Sequence, residues 1–159
     1  MPRYVALLRG VNVGGKNRLP MSDLAALVTE LGCSNVRTYI QSGNVLFEAP
    51  AATARGLPGA LSAALEERMR LRVPVVMRSA SELASAIDAN PFLARGVPSE
   101  ALHVAFLAAT PAATRGATLD ASRSLEMSSP SWARILPLPA ERHGAVELTS
   151  DYLDCTRGP

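Results

Sequence analysis

A glycine-rich segment near the start of the chain has the residue types needed to bind an anion. In residues 9–18, glycines without a Cβ allow backbone N–H groups to converge on a negatively charged group. Arg9, Lys16 and Arg18 add cationic groups, and the segment contains no acidic residue. Well-placed charge-assisted hydrogen bonds contribute about 1.5–3 kcal/mol each. The segment is therefore predicted to receive phosphate or another anion.

The same segment matches the phosphate-binding loop of nucleotide hydrolases only in part. Gly10, Gly15 and Lys16 occupy three of the four fixed positions of that pattern. Asn17 stands where a Ser or Thr would bind magnesium, and the predicted helix begins only after Pro20. No later predicted strand ends in the Asp that a second magnesium contact requires. We therefore predict anion binding without the magnesium chemistry of such a loop.

A second candidate segment is the alternating stretch 35–41, which predicts a strand. Val36 and Ile40 are expected to face the core. Arg37, Tyr39 and Gln41 then form a row on an open sheet face, which suits a base or a sugar. Aromatic residues make up only 4% of the chain and no aromatic RNA-binding consensus is present, so stacking has weak support.

The predicted ligand-binding residues come from these two segments and from the turn after the second. They are Arg9, Gly10, Asn12, Gly14, Gly15, Lys16, Asn17, Arg37, Tyr39, Gln41, Ser42 and Asn44. No catalytic set, metal site or cofactor is predicted, because no nucleophile–base pair or metal-ligand spacing can be assembled. His103 is interpreted as a packed strand residue, His143 as a turn residue, and Cys33 as a thiol without pKa-lowering neighbours.

Composition limits the class of protein. The chain has 159 residues, 48% of them apolar, which is enough for a folded core. No apolar run reaches the roughly 20 residues of a membrane helix, and the first residues are not typical of a secretory signal. Two cysteines without partners at metal-ligand spacing favour the reducing cytoplasm. Arg supplies 15 of the 16 basic residues, so the single Lys16 in the glycine-rich segment slightly favours a function there.

The elements that must position these residues follow the order β-α-β-β-α-β. The predicted segments are a strand at 4–8, a loop at 10–20, a helix at 22–31, a strand at 35–41, a hairpin turn at 42–44, a strand at 45–47, a surface connection at 49–58, a helix at 59–70 and a strand at 72–78. Pro74 cannot donate to a ladder, which places the last strand at an edge or a bulge. This order is typical of the split βαβ arrangement of ferredoxin-like folds.

The second half of the sequence predicts an incomplete α-β-α-β-β-(α) unit. Its predicted segments are a helix from the capping box at 79–82 through Ile87, a strand at 102–107, a helix at 112–125, a strand at 132–138, a partner strand at 145–148 and a last helical turn after Thr149 or Ser150. The predicted fold class is therefore α+β. The predicted subdomains are 1–78 and 79–159, packed as one globule.

Three blocks resemble the bacterial "domain of unknown function 1697" family. They are residues 4–17 (YVALLRGVNVGGKN), 19–24 (LPMSDL) and 35–45 (NVRTYIQSGNV), and residues 103–107 (HVAFL) resemble a later strand of that family. The match is specific over residues 4–47, where order and spacing agree. The resemblance implies a cytoplasmic α+β protein with ferredoxin-like character in two halves, and it implies no established activity.

The C-terminal part departs from the family pattern. Family members carry a basic residue before Leu-Thr, whereas this chain has Glu147 before Leu148 and Thr149. The chain also ends about where the family continues with an Arg-Asn-Trp type of segment and a closing helix. If those pieces complete a site with the glycine-rich segment, this chain is expected to lack that site, and its shortened end is expected to expose apolar surface.

Three functions remain open from the sequence. The leading one is a soluble bacterial module that binds a phosphate-containing small molecule, such as a nucleotide, or RNA through residues 10–18. The first alternative is an enzyme that acts on a phosphorylated or anionic metabolite, with Asn12, Lys16 and Tyr39 around the substrate. The second is a protein-interaction or structural module without a ligand. A homodimer is a predicted partner state, and no membrane partner is predicted.

Overall fold

The chain divides into two compact units, residues 1–83 and 84–159. The computed structural model describes residues 1–90, 92–93, 96–99, 102–109, 134–137 and 145–149. Helices and antiparallel sheets occur in these ranges, which confirms the predicted α+β class. The boundary between the units lies within a helix, five residues after the predicted boundary at Arg78.

The first unit is built on a four-stranded antiparallel sheet. Its elements are β1 (Arg3–Leu8), α1 (Met21–Glu30), β2 (Ser34–Tyr39), β3 (Asn44–Glu48), α2 (Ala51–Met69) and β4 (Val75–Ser79). The strands lie in the order β2-β3-β1-β4. β4 is therefore an edge strand, as predicted, and β3 separates β1 from β2. β4 begins at Val75, so Pro74 lies just before the strand and not within it, unlike in the predicted strand at 72–78.

One face of this sheet forms the core with the two helices. Alternate residues of β1 and β3 are buried with apolar residues of α1 and α2, and the rings of Tyr4 and Phe47 stack with centroids 5.9 Å apart. The core residues of these four elements are Tyr4, Ala6, Leu8, Leu24, Leu27, Val28, Val45, Phe47, Ala54, Leu57, Leu61 and Leu65. Because side chains alternate along a strand, the residues between them lie on the opposite face of the sheet.

Gly32 ends α1 as the sequence predicts. Leu31 is the last half-helical residue, and Gly32 has a φ of +87°, a conformation that costs glycine little. The N–H of Cys33 donates to the carbonyl of Val28 (3.3 Å) and that of Gly32 to the carbonyl of Thr29 (3.0 Å). These two bonds form a Schellman motif.

The prediction of a surface connection at 49–58 is wrong. α2 begins at Ala51 and contains Pro58, together with two glycines. Ala54 and Leu57 are buried and continue the apolar stripe of Leu61 along the helix. Glycine and proline cost a helix interior about 1 and 3 kcal/mol, whereas each fully buried leucine contributes about 1.5–3 kcal/mol. Tertiary burial therefore outweighs local propensity here.

The prediction that Ile40 faces the core is also wrong. β2 ends at Tyr39, and Ile40 has a φ of +50° and an exposed fraction of 61%. The left-handed backbone at Ile40 and Gly43 reverses the chain in a turn at 40–43, so the strand alternation stops before Ile40. Asn44, predicted in the turn, is instead the first residue of β3.

The capping box at Ser79 and Glu82 is confirmed. It begins α3 (Ala80–Asp88). The carboxylate of Glu82 accepts a hydrogen bond from the N–H of Ser79 (2.6 Å), and the hydroxyl oxygen of Ser79 accepts one from the N–H of Glu82 (3.2 Å). This reciprocal pairing satisfies two N–H groups at the helix start.

The second unit contains a three-stranded antiparallel sheet. Its strands are β5 (His103–Phe106), β6 (Arg134–Pro137) and β7 (Ala145–Thr149), in the order β5-β7-β6. The strands predicted at 102–107, 132–138 and 145–148 are thus confirmed as strands, and β7 is the hairpin partner of β6. The helix predicted at 112–125, His143 and the helical turn predicted after Thr149 lie outside the described residues.

Candidate functional site

Both predicted ligand-binding segments lie at the same end of the first sheet. Asn44, at the start of β3, pairs with Leu7 near the end of β1 and with Tyr39 at the end of β2. Leu8 pairs with Val75 at the start of β4. The loop at 9–20, the turn at 40–43 and the segment before β4 are therefore neighbours.

The glycine-rich segment folds into a small β-hairpin. Lys16 donates its N–H to the carbonyl of Val13 (3.1 Å), and Asn12 donates its N–H to the carbonyl of Asn17 (3.1 Å). Gly14 and Gly15, between them, have φ values of +58° and +75°, typical of a type I′ turn. The hairpin thus uses two of the amides that were predicted to bind an anion. Within the described residues, the N–H groups of Gly14 and Gly15 have no protein acceptor.

Asn12 ties the hairpin to the turn at 40–43. Its side-chain amide nitrogen donates to the carbonyls of Leu19 (2.9 Å) and Gln41 (2.8 Å), and its side-chain oxygen accepts from the N–H of Leu19 (2.8 Å). Both amide hydrogens are used by these bonds. Asn12 therefore positions the loop and the turn, and it has little capacity left for a ligand.

Asn17 closes the base of the hairpin. Its side-chain amide donates to the carbonyl of Gly10 (2.9 Å), and its φ of +48° lies in the left-handed region, as does that of Asn12. Asparagine is the residue other than glycine that adopts this conformation most readily. The two asparagines are thus a sequence signal for backbone shape, whereas sequence reasoning had assigned them to the ligand.

Gly43 allows the turn to approach the loop closely. A Cβ at this position would lie 2.4 Å from Cγ2 of Val11 and 2.9 Å from Cβ of Leu8, and the φ is +84°. The carbonyl of Gly43 also accepts a hydrogen bond from the N–H of Leu8 (3.2 Å). Gly43 was not among the predicted site residues, although it lies between Ser42 and Asn44, which were.

An open cavity of about 430 Å³ lies beside the hairpin, at the start of α1. We call it the hairpin cavity. Its walls are Asn12, Gly15, Arg18, Leu19, Pro20 and Gln41. Three of these residues were predicted to bind the ligand from two separate segments. Arg18 was counted among the segment's cations and was missing from the predicted ligand-binding set.

The electrostatics of the hairpin cavity favour an anion. Within the described residues, the guanidinium of Arg18 has no ion-pair partner. The first N–H groups of a helix have no acceptor within it and carry about half a positive charge together. Asp23, in the first turn of α1, is an opposing charge, and it accepts a hydrogen bond from the hydroxyl of Ser22 (3.2 Å).

A second open cavity, of about 420 Å³, suits an anion less well. Asn17, Glu66, Arg70 and Arg72 line it. Glu66 forms an ion pair with Arg72 (2.6 Å). The cavity also lies at the end of α2, where Arg70 is the C-cap and the helix dipole is negative.

The predicted row of Arg37, Tyr39 and Gln41 is divided. Arg37 and Tyr39 are exposed on the sheet face that the helices leave open. Gln41 follows Ile40 into the turn and lines the hairpin cavity. In the same turn region, the side-chain amide of Asn44 donates to the hydroxyl of Ser42 (2.9 Å).

The other predicted cations lie close to the hairpin cavity in sequence but are not among its walls. Arg9 and Lys16 are exposed, and the backbone N–H of Arg9 donates to the carbonyl of Pro74 (3.1 Å). Their exposed side chains lie on the same loop as Arg18.

Two buried ionisable groups have shifted pKa values. Burial raises the pKa of the Cys33 thiol, so the neutral form is favoured, which is unlike a catalytic nucleophile. Burial lowers the pKa of Arg78, and the carboxylate of Glu82 partly opposes this. Across the described ranges, no cluster of three or more His, Cys, Asp or Glu is placed to hold a metal ion. No helix in the described residues is long and apolar enough to span a membrane.

Comparisons with known proteins identify relatives of the sequence and of the fold. The family model described as "Protein of unknown function (DUF1697)" matches residues 1–129. Among solved structures, the conserved bacterial protein SP0830 from Streptococcus pneumoniae is similar, with a TM-score of 0.60 and 22% identity. The match covers 98% of this chain and 80% of that one, and at this identity it supports the fold alone. No curated protein matches the chain.

Proposed function

The chain belongs to the DUF1697 family of proteins of unknown function, and we propose that it binds the phosphate of a nucleotide or of RNA in the hairpin cavity. The observation that carries the proposal is the composition of the cavity wall. Asn12, Gly15 and Gln41 come together there with Arg18, and no wall residue is acidic. A phosphate group offers only oxygen acceptors when it is fully ionised, so it matches the donors of this wall that are free within the described residues, which are the N–H of Gly15 and the side chains of Gln41 and Arg18.

Three donors in the cavity wall are available to such a phosphate. They are the guanidinium of Arg18, the N–H of Gly15 and the side-chain amide of Gln41, and the N-terminus of α1, which follows the wall residue Pro20, adds its positive dipole end. Their elements are held together by the Asn12 bonds, so little backbone order has to be gained on binding. The volume of about 430 Å³ is within the range of small-molecule sites.

The charge balance near the cavity also supports the proposal. Asp23 weakens the positive potential at the start of α1. Arg9, Lys16 and Arg18 on the loop outnumber it, and the described residues contain no ion pair to any of the three. The net effect on an incoming phosphate is attraction, screened by salt for the exposed groups.

The test is calorimetric titration of the protein with AMP, ATP and a ten-nucleotide single-stranded RNA. Arg18→Gln is expected to weaken binding about 10- to 150-fold, the equivalent of a charge-assisted hydrogen bond of about 1.5–3 kcal/mol. Arg9→Ala and Lys16→Ala are expected to weaken it less, because their side chains are not in the cavity wall. Rising salt is expected to weaken RNA binding steeply and nucleotide binding less.

The matched control is Arg55→Gln. Arg55 is exposed near the start of α2, which follows β3 at the other end of the sheet, and the described residues contain no ion pair to it. This variant removes the same charge away from the hairpin cavity. Equal losses in Arg18→Gln and Arg55→Gln, or no loss in either, would reject the hairpin cavity as the binding site.

The walls of the hairpin cavity favour binding over the two alternative functions. A metabolite enzyme needs a general acid or base, and the wall contains no His, Asp, Glu or Cys. Tyr39, which the enzyme hypothesis placed beside the substrate, is not part of the wall. A protein-interaction module without a ligand, with a homodimer as its partner state, would not explain why Arg18 in the cavity wall is left unpaired among the described residues. Sedimentation of the protein without ligand tests whether such a homodimer forms.

We further propose a ferredoxin-like arrangement for residues 1–78 and a second α+β subdomain for 79–159. The β-α-β-β-α-β order and the sheet order β2-β3-β1-β4, antiparallel throughout, support the first part. A cytoplasmic location is proposed on the free buried thiol of Cys33, which suits a reducing compartment.

A further inference from the structure

Three side chains form an exposed surface on the β2–β3 side of the sheet face opposite the helices, whereas Val5 and Arg78, on the β1–β4 side of the same face, are buried. Tyr39 has an exposed fraction of 64% and Leu46 one of 46%, and Arg37 is also exposed. Arg37 and Leu46 are cross-strand partners on β2 and β3, and Tyr39 lies two residues further along β2. We call these three residues the sheet platform.

The polar groups of the sheet platform have no partner within the protein. In the described residues, the hydroxyl of Tyr39 and the guanidinium of Arg37 make no hydrogen bond, and Arg37 makes no ion pair. By contrast, the carboxylate of Glu48, two residues along β3 from Leu46, accepts a hydrogen bond from Asn35 (2.9 Å) and pairs with Arg3 (3.6 Å). The sheet platform therefore presents an aromatic ring, a leucine side chain and an unpaired cation to solvent.

The charges around the sheet platform suit a polyanion. Its cross-strand rows contain Arg37 and no acidic residue, because Leu46 is opposite Arg37 and Asn44 is opposite Tyr39. The end of the sheet at Tyr39 is also the end at which the loop carrying Arg9, Lys16 and Arg18 emerges. Cations spread along one end of a sheet are better matched by several phosphates than by one.

The turn at 40–43 connects the sheet platform to the hairpin cavity. Gln41 lines the cavity and is two residues from Tyr39, so their Cα atoms are at most about 7.6 Å apart. Tyr39 lies on the sheet face opposite the helices and the cavity lies at the start of α1, so a strand of a few nucleotides reaches both places by passing around the turn at 40–43. Stacking on an exposed aromatic ring is the common way in which proteins hold unpaired bases.

We infer that the ligand of the hairpin cavity is a single-stranded RNA, with one base stacked on Tyr39 and Leu46, the next phosphate beside Arg37, and a further phosphate in the cavity. This inference rests on the proposed function, since it extends the ligand from the cavity to the sheet platform. It assigns stacking to Tyr39 and backbone binding to Arg37.

The test is fluorescence anisotropy of a labelled ten-nucleotide oligouridine with the full chain. Tyr39→Ala is expected to weaken binding about 5- to 150-fold, the range that loss of one stacked base produces. Tyr39→Phe is expected to stay within about threefold of the parent protein, because the ring is what stacks. The matched control is Ile87→Ala, which truncates an equally exposed apolar side chain on α3 (59% exposed) and is expected to have no effect.

The possible results separate this inference from the proposed function. If Arg18→Gln weakens binding of oligouridine and ATP while Tyr39→Ala changes neither, the inference is overturned and the hairpin cavity stands. If Tyr39→Ala weakens oligouridine binding and Arg18→Gln does not, the cavity assignment fails and with it the proposed path of the strand. Equal binding of a duplex of the same length also overturns the inference, since paired bases cannot stack on Tyr39. Circular dichroism and thermal melting establish that each variant is folded.

Discussion

Gly43→Ala is expected to be one of the most destabilising single-atom changes at this end of the sheet. Two separate costs arise from the structure. The φ of +84° is unfavourable for any residue with a Cβ, by about 1–2 kcal/mol. The new methyl group would also lie 2.4 Å from Cγ2 of Val11 and 2.9 Å from Cβ of Leu8, an overpacking that costs about 1–3 kcal/mol. The expected loss in the free energy of unfolding is therefore about 2–5 kcal/mol.

Two other glycines allow these costs to be measured apart. Gly10 has a φ of +75°, and a Cβ added there would meet nothing within 4 Å, so Gly10→Ala carries the backbone cost alone. Gly59 is helical, has no positive φ and has the same open space, so Gly59→Ala is expected to stabilise the protein by up to about 1 kcal/mol. Urea unfolding followed by circular dichroism gives the three free energies under identical conditions.

The order of stability of the three variants tests the energetic effect of the close approach between the turn and the loop. Gly43→Ala is expected to have a lower free energy of unfolding than Gly10→Ala. The difference must exceed about 0.5 kcal/mol, which is the scatter with which free-energy changes at separate sites are compared. If the two are equal, Val11 and Leu8 yield to the new methyl group and the turn does not constrain the loop. Where Gly43→Ala remains folded, titration with ATP is expected to show weaker binding, because the turn that carries Gln41 must move away from the hairpin cavity.

Two further predictions concern the site and the core. Asn12→Gly retains the left-handed backbone but removes three hydrogen bonds. Urea unfolding should therefore show a free energy of unfolding that is lower by about 1–3 kcal/mol. An unchanged urea midpoint would mean that these three bonds are no stronger than the bonds to water that replace them. Cys33 has a pKa raised above its usual value of 9.0, so the neutral thiol's stabilisation is present below that pH and is lost as the pH rises through the higher folded value. Thermal melting should therefore show an alkaline decline that is smaller in Cys33→Ala, and equal declines in both proteins would contradict a buried thiol.

The parts of the fold that could be predicted from sequence are those with a local physical signal. Ser79 and Glu82 have the spacing at which each side chain reaches the other's backbone N–H, and the structure has both bonds. Gly32 follows an apolar helical pattern at the position where a left-handed cap is needed. Such signals depend on residues three or four positions apart, so they can be recognised without knowledge of the tertiary structure.

The extent of α2 could not be predicted in the same way. Pro58 and its neighbouring glycines favour a loop on local grounds, and only the burial of Ala54 and Leu57 against the sheet makes the helix favourable. A similar limit applies at Ile40, where an apolar side chain in an alternating pattern predicts a core position. Ile40 instead lies in the turn at 40–43, where its backbone is in the left-handed region and its side chain is exposed.

The candidate site shows a further limit of sequence reasoning. From residue types alone it was possible to predict which segments hold the polar groups of the site. Asn12, Gly15 and Gln41 do line one cavity. Which of those groups remain available depends on hydrogen bonds that sequence does not reveal. Asn12 and Asn17 bond to the protein's own backbone, and the cation in the cavity wall is Arg18.

The structural role of Asn12 has a functional consequence for the hairpin cavity. Because Asn12 fixes the loop to the turn, the donors on Gly15, Arg18 and Gln41 are held near one another before any ligand arrives. Pre-organised donors lose less conformational entropy on binding, so a few contacts can give useful affinity. It follows that Asn12→Gly should weaken phosphate binding even though Asn12 itself makes no contact with the ligand. A variant that kept full affinity would mean that the ligand, and not the protein, orders this site.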